Sequence, residues 1–176
     1  MIYYTSDLHL GHKNILRLSD RPFADLDEMH QTIMDNWNSI VIDKDEVYIL
    51  GDVAFKLNEE INSLIASLKG RKHLIIGNHD KKFLGKEKFR AHFETIQNYL
   101  EIEDSGRTVI LFHYPIAEWD GFYHDTYHLY GHIHNTTGNL TDDIITKIKS
   151  EGHNMFNVGM DVNGFAPVTL DRLCGK

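Results

Sequence analysis

The sequence predicts an α/β protein with two facing β-sheets flanked by helices. Two observations carry this. Short apolar runs alternate with amphipathic helical stretches through the first half, and strand-like runs dominate the second. Polar clusters rich in Asp, Asn and His follow the runs, so they stand past the carboxyl ends of strands, where open sheets place their chemistry.

Ile2–Ser6 opens the chain as a strand. After the basic stretch from Lys13 to Arg17, Asp25 with Glu28 three residues on marks a helix start. Leu26, Met29, Ile33, Trp37 and Ile40 keep one face of that helix apolar. Strand Val47–Leu50 follows. Asn58 caps the next helix, whose buried stripe is Ile61, Leu64, Ile65 and Leu68, and Lys69-Gly70 ends it. Strand Leu74–Ile76 comes next, and Lys81–Phe93 is expected to be helical. Thr95–Ile102 and Thr108–Phe112 read as two strands joined by the hairpin signal Asp104-Ser105-Gly106. Tyr127–Tyr130, Met155–Val158 and Val168–Leu173 are further strand candidates, with one helix near Asp142–Ser150.

The 176 residues are read as one domain over 1–176, long enough to bury a substantial core. A net charge of −8 argues against an extended nucleic-acid groove but not against a small phosphorylated substrate, because bound cations reverse the sign locally. Cys174 is the only cysteine, so no intrachain disulfide forms. With no leader pattern and no apolar run approaching a membrane span of about 20 residues, the expectation is a cytoplasmic protein with no membrane partner.

Five polar clusters stand out: Asp7-Leu8-His9, Gly51-Asp52, Gly77-Asn78-His79-Asp80, His113, and Gly131-His132-Ile133-His134. A single histidine past a strand is an ordinary turn residue. Five clusters in order, mixing carboxylate, amide and imidazole without a thiol, suit a site for two divalent cations. In an extended Asp-x-His both side chains point to one side and share a cation. The same holds for His132 and His134 if the backbone there is extended.

These five motifs, spanning residues 7 to 134, resemble in kind and order those of the calcineurin-like metallophosphoesterases, of the small single-domain bacterial or phage type. The resemblance implies a four-layered α-β-β-α sandwich with two facing mixed sheets. It implies a dinuclear centre in which Asp7, His9 and His134 hold one metal, Asn78, His113 and His132 the other, and Asp52 bridges them. Asn157-Val158-Gly159 resembles the return strand that closes the site. Mn2+ is the expected cation, with Fe2+, Zn2+ or Ni2+ as alternatives. Two cations about 3.5–4 Å apart clamp a phosphoryl group while a bridging hydroxide attacks in line. The expected activity is therefore hydrolysis of phosphodiesters or small nucleotides, diesters before monoesters. A non-catalytic scaffold on the same fold is the alternative, although such a scaffold needs no complete ligand set. A metallo-β-lactamase type fails, because Asn135-Thr136-Thr137 follows His134 where that class needs Asp-His.

His79 adjoins Asn78 without a metal role and is the expected proton donor. The family often has a second Asp after Gly-Asp to pair with this His. Val53-Ala54-Phe55 offers none, which leaves the partner of His79 open. His12, Arg17 and Arg21 follow the first motif and are candidates to contact substrate, an Arg forking onto a phosphate oxygen. Trp119, Phe122 and Tyr123 either stack on a substrate ring or pack in the core, and His124 and His128 are candidates for the same wall. Asp161 and Asn163 either orient ligands or form a turn.

Overall fold

A computed structural model describes residues 1–176. Strands β1 (Ile2–Thr5), β2 (Glu46–Ile49), β3 (Arg71–Ile75) and β4 (Thr95–Gln97) form one sheet in that order, entirely parallel. Strands β5 (Tyr99–Asp104), β6 (Arg107–Phe112), β7 (Tyr127–Tyr130) and β8 (Asn154–Asn157) form the second, in which β5 runs antiparallel to β6 and the rest are parallel. The first sheet is thus all parallel where a mixed one is expected. Helices α1 (Ile15–Leu18), α2 (Leu26–Ile40), α3 (Glu59–Ser67), α4 (Glu87–Arg90), α5 (Leu140–Ser150) and α6 (Leu170–Leu173) complete the chain.

Alternation along the strands sorts the core into layers. Tyr3, Val47, Ile49 and Leu74 face Met29, Ile33 and Trp37 of α2 and Ile61 and Ile65 of α3. Tyr4, Leu50 and Ile75 face Val109, Leu111 and Leu129 between the sheets. Ile110, Tyr130 and Met155 face Ile145 and Ile148 of α5. The order is therefore helix, sheet, sheet, helix. Trp37 is fully buried and its indole donates to Lys69 O, so truncation to Ala is expected to cost about 3–5 kcal/mol. Tyr4 of β1 donates to Asp104 Oδ2 of β5 at 2.9 Å inside the sandwich, pinning one sheet to the other.

The helix starts follow their caps: Asp25 accepts from Glu28 N and Asn58 from Ile61 N. Ser105 and Gly106, both left-handed, make the two-residue hairpin between β5 and β6. Three expectations fail for local reasons. Lys81–Phe93 is not one helix: a 3-10 turn at Lys81–Phe83 and the short α4 lie either side of Gly85. Thr95–Ile102 is not one strand, because the chain leaves the first sheet after Gln97 and joins the second at Tyr99. Val168 makes only an isolated bridge to Tyr4, after which Thr169 caps α6. No helix is long and apolar enough to cross a membrane.

Candidate metal centre

All five polar clusters meet at the carboxyl end of the strands. Pairing continues beyond β1 and β2: Leu50 N donates to Thr5 O, Asp7 N to Gly51 O, His9 N to Asp52 O and Leu10 N to Val53 O. The backbone is not extended there, as the Asp-x-His reading assumes. Asp7, His9, Asp52, His132 and His134 all have positive φ, between 51° and 71°, and make up five of the nine non-glycine residues in that region. Such strain in side-chain-bearing residues concentrates where a surrounding structure enforces it for function. Convergence of the side chains thus comes from repeated left-handed turns rather than from strand alternation.

The loops also need glycine where they cross. A Cβ on Gly131 would overlap Ser6 Oγ and Asp7 Oδ2, and one on Gly77 would overlap Asp52 Oδ1.

Three overlapping groups result: Asp7, His9 and His134; His9, Asp52 and His79; Asp52, His113 and His132. Each offers ligand atoms within 4.8 Å of one another, close enough to hold a cation. Asp52 lies between them, with Oδ2 3.6 Å from His9 Nε2 and Oδ1 3.7 Å from His113 Nε2. Asp7 Oδ1 and both His9 ring nitrogens are buried without a hydrogen-bond partner. Burial pushes the Asp7 carboxyl up and the His9 imidazole down, each disfavouring its charged form. His113 Nδ1 lies 2.6 Å from Leu50 O, a carbonyl that only accepts, so in the neutral ring Nε2 is a lone pair. That lone pair faces Asn78 Oδ1, also an acceptor, at 3.1 Å. Orphaned and opposed acceptors of this kind fit cations with oxygen and imidazole ligands. All seven residues expected as ligands therefore stand together.

Three buried groups hold this arrangement, two that sequence reading does not assign and one that it assigns to another role. Asp80 is fully buried and accepts from the backbone N–H groups of Gly77, Asp52 and Val53, at 2.9, 2.8 and 3.0 Å, locking two motif loops together. Burial pushes its carboxyl up to about 6 despite those bonds. His30 Nε2 accepts from Gly11 N at 3.0 Å and fixes the turn after His9. Asp27 and Glu60 stand near His30, but its Nε2 lone pair is already taken by that N–H.

Arg21 is the third, and here the expected substrate contact is corrected. Its guanidinium is buried and its donors are engaged: Nε and Nη2 on Asp161 at 2.8 and 3.0 Å, Nη1 on Leu8 O and Nη2 on Asp7 O. Asp161 in turn accepts from His134 Nδ1 at 2.8 Å, which turns Nε2 of that ring toward Asp7. Asp161 is therefore an orienter, and Asn163 bonds the carbonyls of Asn157 and Gly159 as part of the same turn. Arg17 is exposed on α1.

His12 is buried at the edge of the centre, its ring 5.4 Å from that of His9 and stacked on Phe55 at 3.8 Å. His79 is one-third exposed, with Nε2 3.9 Å from Asp52 Oδ2. No carboxylate beyond Asp52 pairs with it. Its ring is instead packed among those of His9, Phe55 and His12, at 5.2, 5.5 and 6.3 Å. The other aromatic candidates are not at the centre. Trp119 and His128 are buried under the second sheet, and Phe122 stacks on His153 beside the amino end of β8, the opposite end of the sandwich.

No protein-family model matches the chain. A protein of Methanocaldococcus jannaschii, the uncharacterized protein MJ1445, is 36% identical over 174 residues, covering 98% of this chain and 88% of its own. The crystal structure of AQ665, a protein of unknown function from Aquifex aeolicus, shares the fold with a TM-score of 0.79 at 26% identity, over 99% of this chain and 98% of that one. Yfce, a phosphoesterase from E. coli, overlaps at 15% identity with a TM-score of 0.42, over 90% of this chain and 77% of its own, a likeness that carries no argument about activity.

Proposed function

We propose that this chain, which belongs to the same family as MJ1445 of Methanocaldococcus jannaschii, is a two-metal phosphoesterase of the calcineurin-like kind. The observation that carries the reading is Asp52, whose two oxygens face two different imidazole groups. Asp7, His9 and His134 would hold one divalent cation, Asn78, His113 and His132 the other, and Asp52 both. Such a pair, when bound, supplies Lewis-acid stabilisation of phosphoryl oxygens and acidifies water. The chain's own groups do the rest. Asp161 and Leu50 O fix the His134 and His113 rings through their Nδ1 atoms. His79, on the rim beside Asp52, donates a proton to the leaving oxygen.

Small phosphodiesters and nucleotides are the proposed substrates. His132 is exposed and His79 partly so, which leaves the centre open, and the net charge of −8 disfavours a long nucleic-acid groove. A reducing cytoplasmic setting fits the free thiol of Cys174. The test is hydrolysis of bis(p-nitrophenyl) phosphate against p-nitrophenyl phosphate with Mn2+, Fe2+, Zn2+ or Ni2+ added. Turnover that is fastest on the diester with Mn2+ and stops with a chelator is expected. Folded, metal-loaded protein inert on every phosphoester overturns the reading in favour of a binding scaffold.

A further inference from the structure

Lysine side chains on a surface ordinarily sweep a wide volume, and holding one still carries an entropic cost. Lys82 is held. It sits in the 3-10 turn directly after Asp80, and its ammonium donates to Phe55 O at 2.5 Å. The same nitrogen lies 4.3 Å from the centroid of the Phe55 ring and 4.9 Å from that of Phe83, two cation–π contacts. Its anchor is itself fixed to the metal-binding loops, since Phe55 N donates to Leu10 O and the Phe55 ring lies flat on His12, with 8° between the planes.

This wall borders His79, whose ring centroid is 5.5 Å from that of Phe55. Of the three N–H groups on the ammonium, the protein takes one, leaving two to donate. His12 Nδ1 on the same wall also lacks a protein partner. Lys82 is exposed, and its ammonium shares the Phe55 ring with His79, 4.3 Å from the Phe55 centroid, which is itself 5.5 Å from that of His79; it is a point charge suited to phosphate. With His79 in its proposed role as donor to the leaving oxygen, the Phe55 ring puts Lys82 on the leaving-group side of the centre.

We infer that Lys82, held on Phe55, is a specificity residue of this site and takes a second phosphate carried by the leaving group of the substrate. The inference rests on the phosphoesterase reading. The substrate class it names is a short nucleotide-like phosphodiester bearing a terminal phosphate.

The experiment compares the dinucleotide TpT with its terminally phosphorylated forms pTpT and TpTp, in wild type, Lys82→Met and Lys82→Arg. Methionine keeps apolar contact with the two rings and removes the charge. In wild type with Mn2+, one phosphorylated form is expected to exceed TpT in kcat/KM by about tenfold or more, chiefly through KM, as a charge-assisted contact supplies. That ratio is expected to fall to about one in Lys82→Met and to return in Lys82→Arg. Calorimetry of the same three ligands in chelator supplies a second readout that needs no turnover. Failure to hydrolyse any diester overturns the phosphoesterase reading, while a phosphate-dependent affinity lost in Lys82→Met still establishes the contact. Equal kcat/KM and equal binding of all three ligands in wild type overturns the inference. So does a Lys82→Met protein in which rates and melting temperature drop while the ratio is kept, since Lys82 is then only a strap between Phe55 and Phe83.

Discussion

The two sheets contribute to the centre in different ways. Asp7, His9, Asp52, Asn78 and His79, which follow β1, β2 and β3, lie on loops knitted by main-chain pairing, by the three bonds to Asp80 and by the His30 contact to Gly11. The second sheet supplies His113 from the buried end of β6, but His132 and His134 from a loop that is half-buried or exposed. Much of what fixes that loop comes from the first sheet's side: Asp7 accepts from His132 N, Arg21 holds the Asp161 that holds His134, and Ser19 O accepts from Asn135. Asn157 to His134 O is a contact from its own side. One half is therefore a preformed frame, and the other is ordered against it.

Substitutions at five positions probe that asymmetry. Asp52→Asn strikes the shared centre of the frame and is expected to have the largest effect, leaving fewer than two metals per chain by elemental analysis and turnover near background. Two retained metals and a near-normal rate would remove Asp52 from the bridging role.

Arg21→Ala breaks the link by which the frame holds the loop. Removing one partner of a buried pair is expected to cost about 3–5 kcal/mol in urea unfolding, and Arg21→Lys is not expected to rescue it, because the fork onto Asp161 is lost. Stability within about 1 kcal/mol of wild type would return Arg21 to the role of a substrate contact. The same link predicts acid sensitivity. Burial alone would raise the Asp161 carboxyl, but bonds from His134 and Arg21 outweigh it and hold the group below its usual range. A depressed folded value means that this stability is present above the unfolded pKa of about 3.9 and is lost as pH falls through the folded value. An added loss of stability below about pH 4 is thus expected in wild type and not in Asp161→Asn.

His79→Gln is expected to keep both metals and to slow alkyl and nucleoside leaving groups by about 10²-fold, the lower end for general acids. Nitrophenolates, which leave with little help, are expected to be affected much less. An equal penalty across a graded series of leaving groups would assign His79 to stabilising phosphoryl charge. Asn135→Ala removes a single part-buried bond between the loop and the end of α1, with an expected cost of about 1 kcal/mol. A loss as large as that of Arg21→Ala would show that the loop is as tightly built as the frame, and would end the distinction.

The sequence made the ligand clusters legible because Asp, Asn and His are conspicuous after Val-, Ile- and Tyr-rich runs, and the caps at Asp25 and Asn58 because their side chains act within four residues. What it hid acts over long separations. Arg21 reads as a free cation beside a phosphate motif until the fold brings it to Asp161, and Asp80 reads as a motif terminus until it is seen to bond Asp52 and Val53. The sheet exchange at Asn98 was also hidden, because Ile96, Leu100 and Ile102 keep one alternation across two strands. Gly85, between the 3-10 turn and α4, is the one local signal in residues 81–93 against a continuous helix.

The left-handed ligands have a consequence for the history of such a chain. Each of Asp7, His9, Asp52, His132 and His134 occupies backbone that glycine would adopt with less strain, by on the order of 1 kcal/mol at each position. A population drifting under selection for foldability alone would therefore erode these five positions toward glycine before most others. Laboratory drift with and without selection for phosphoester turnover would expose that pull, and the positions that resist only under selection would be those the turnover requires.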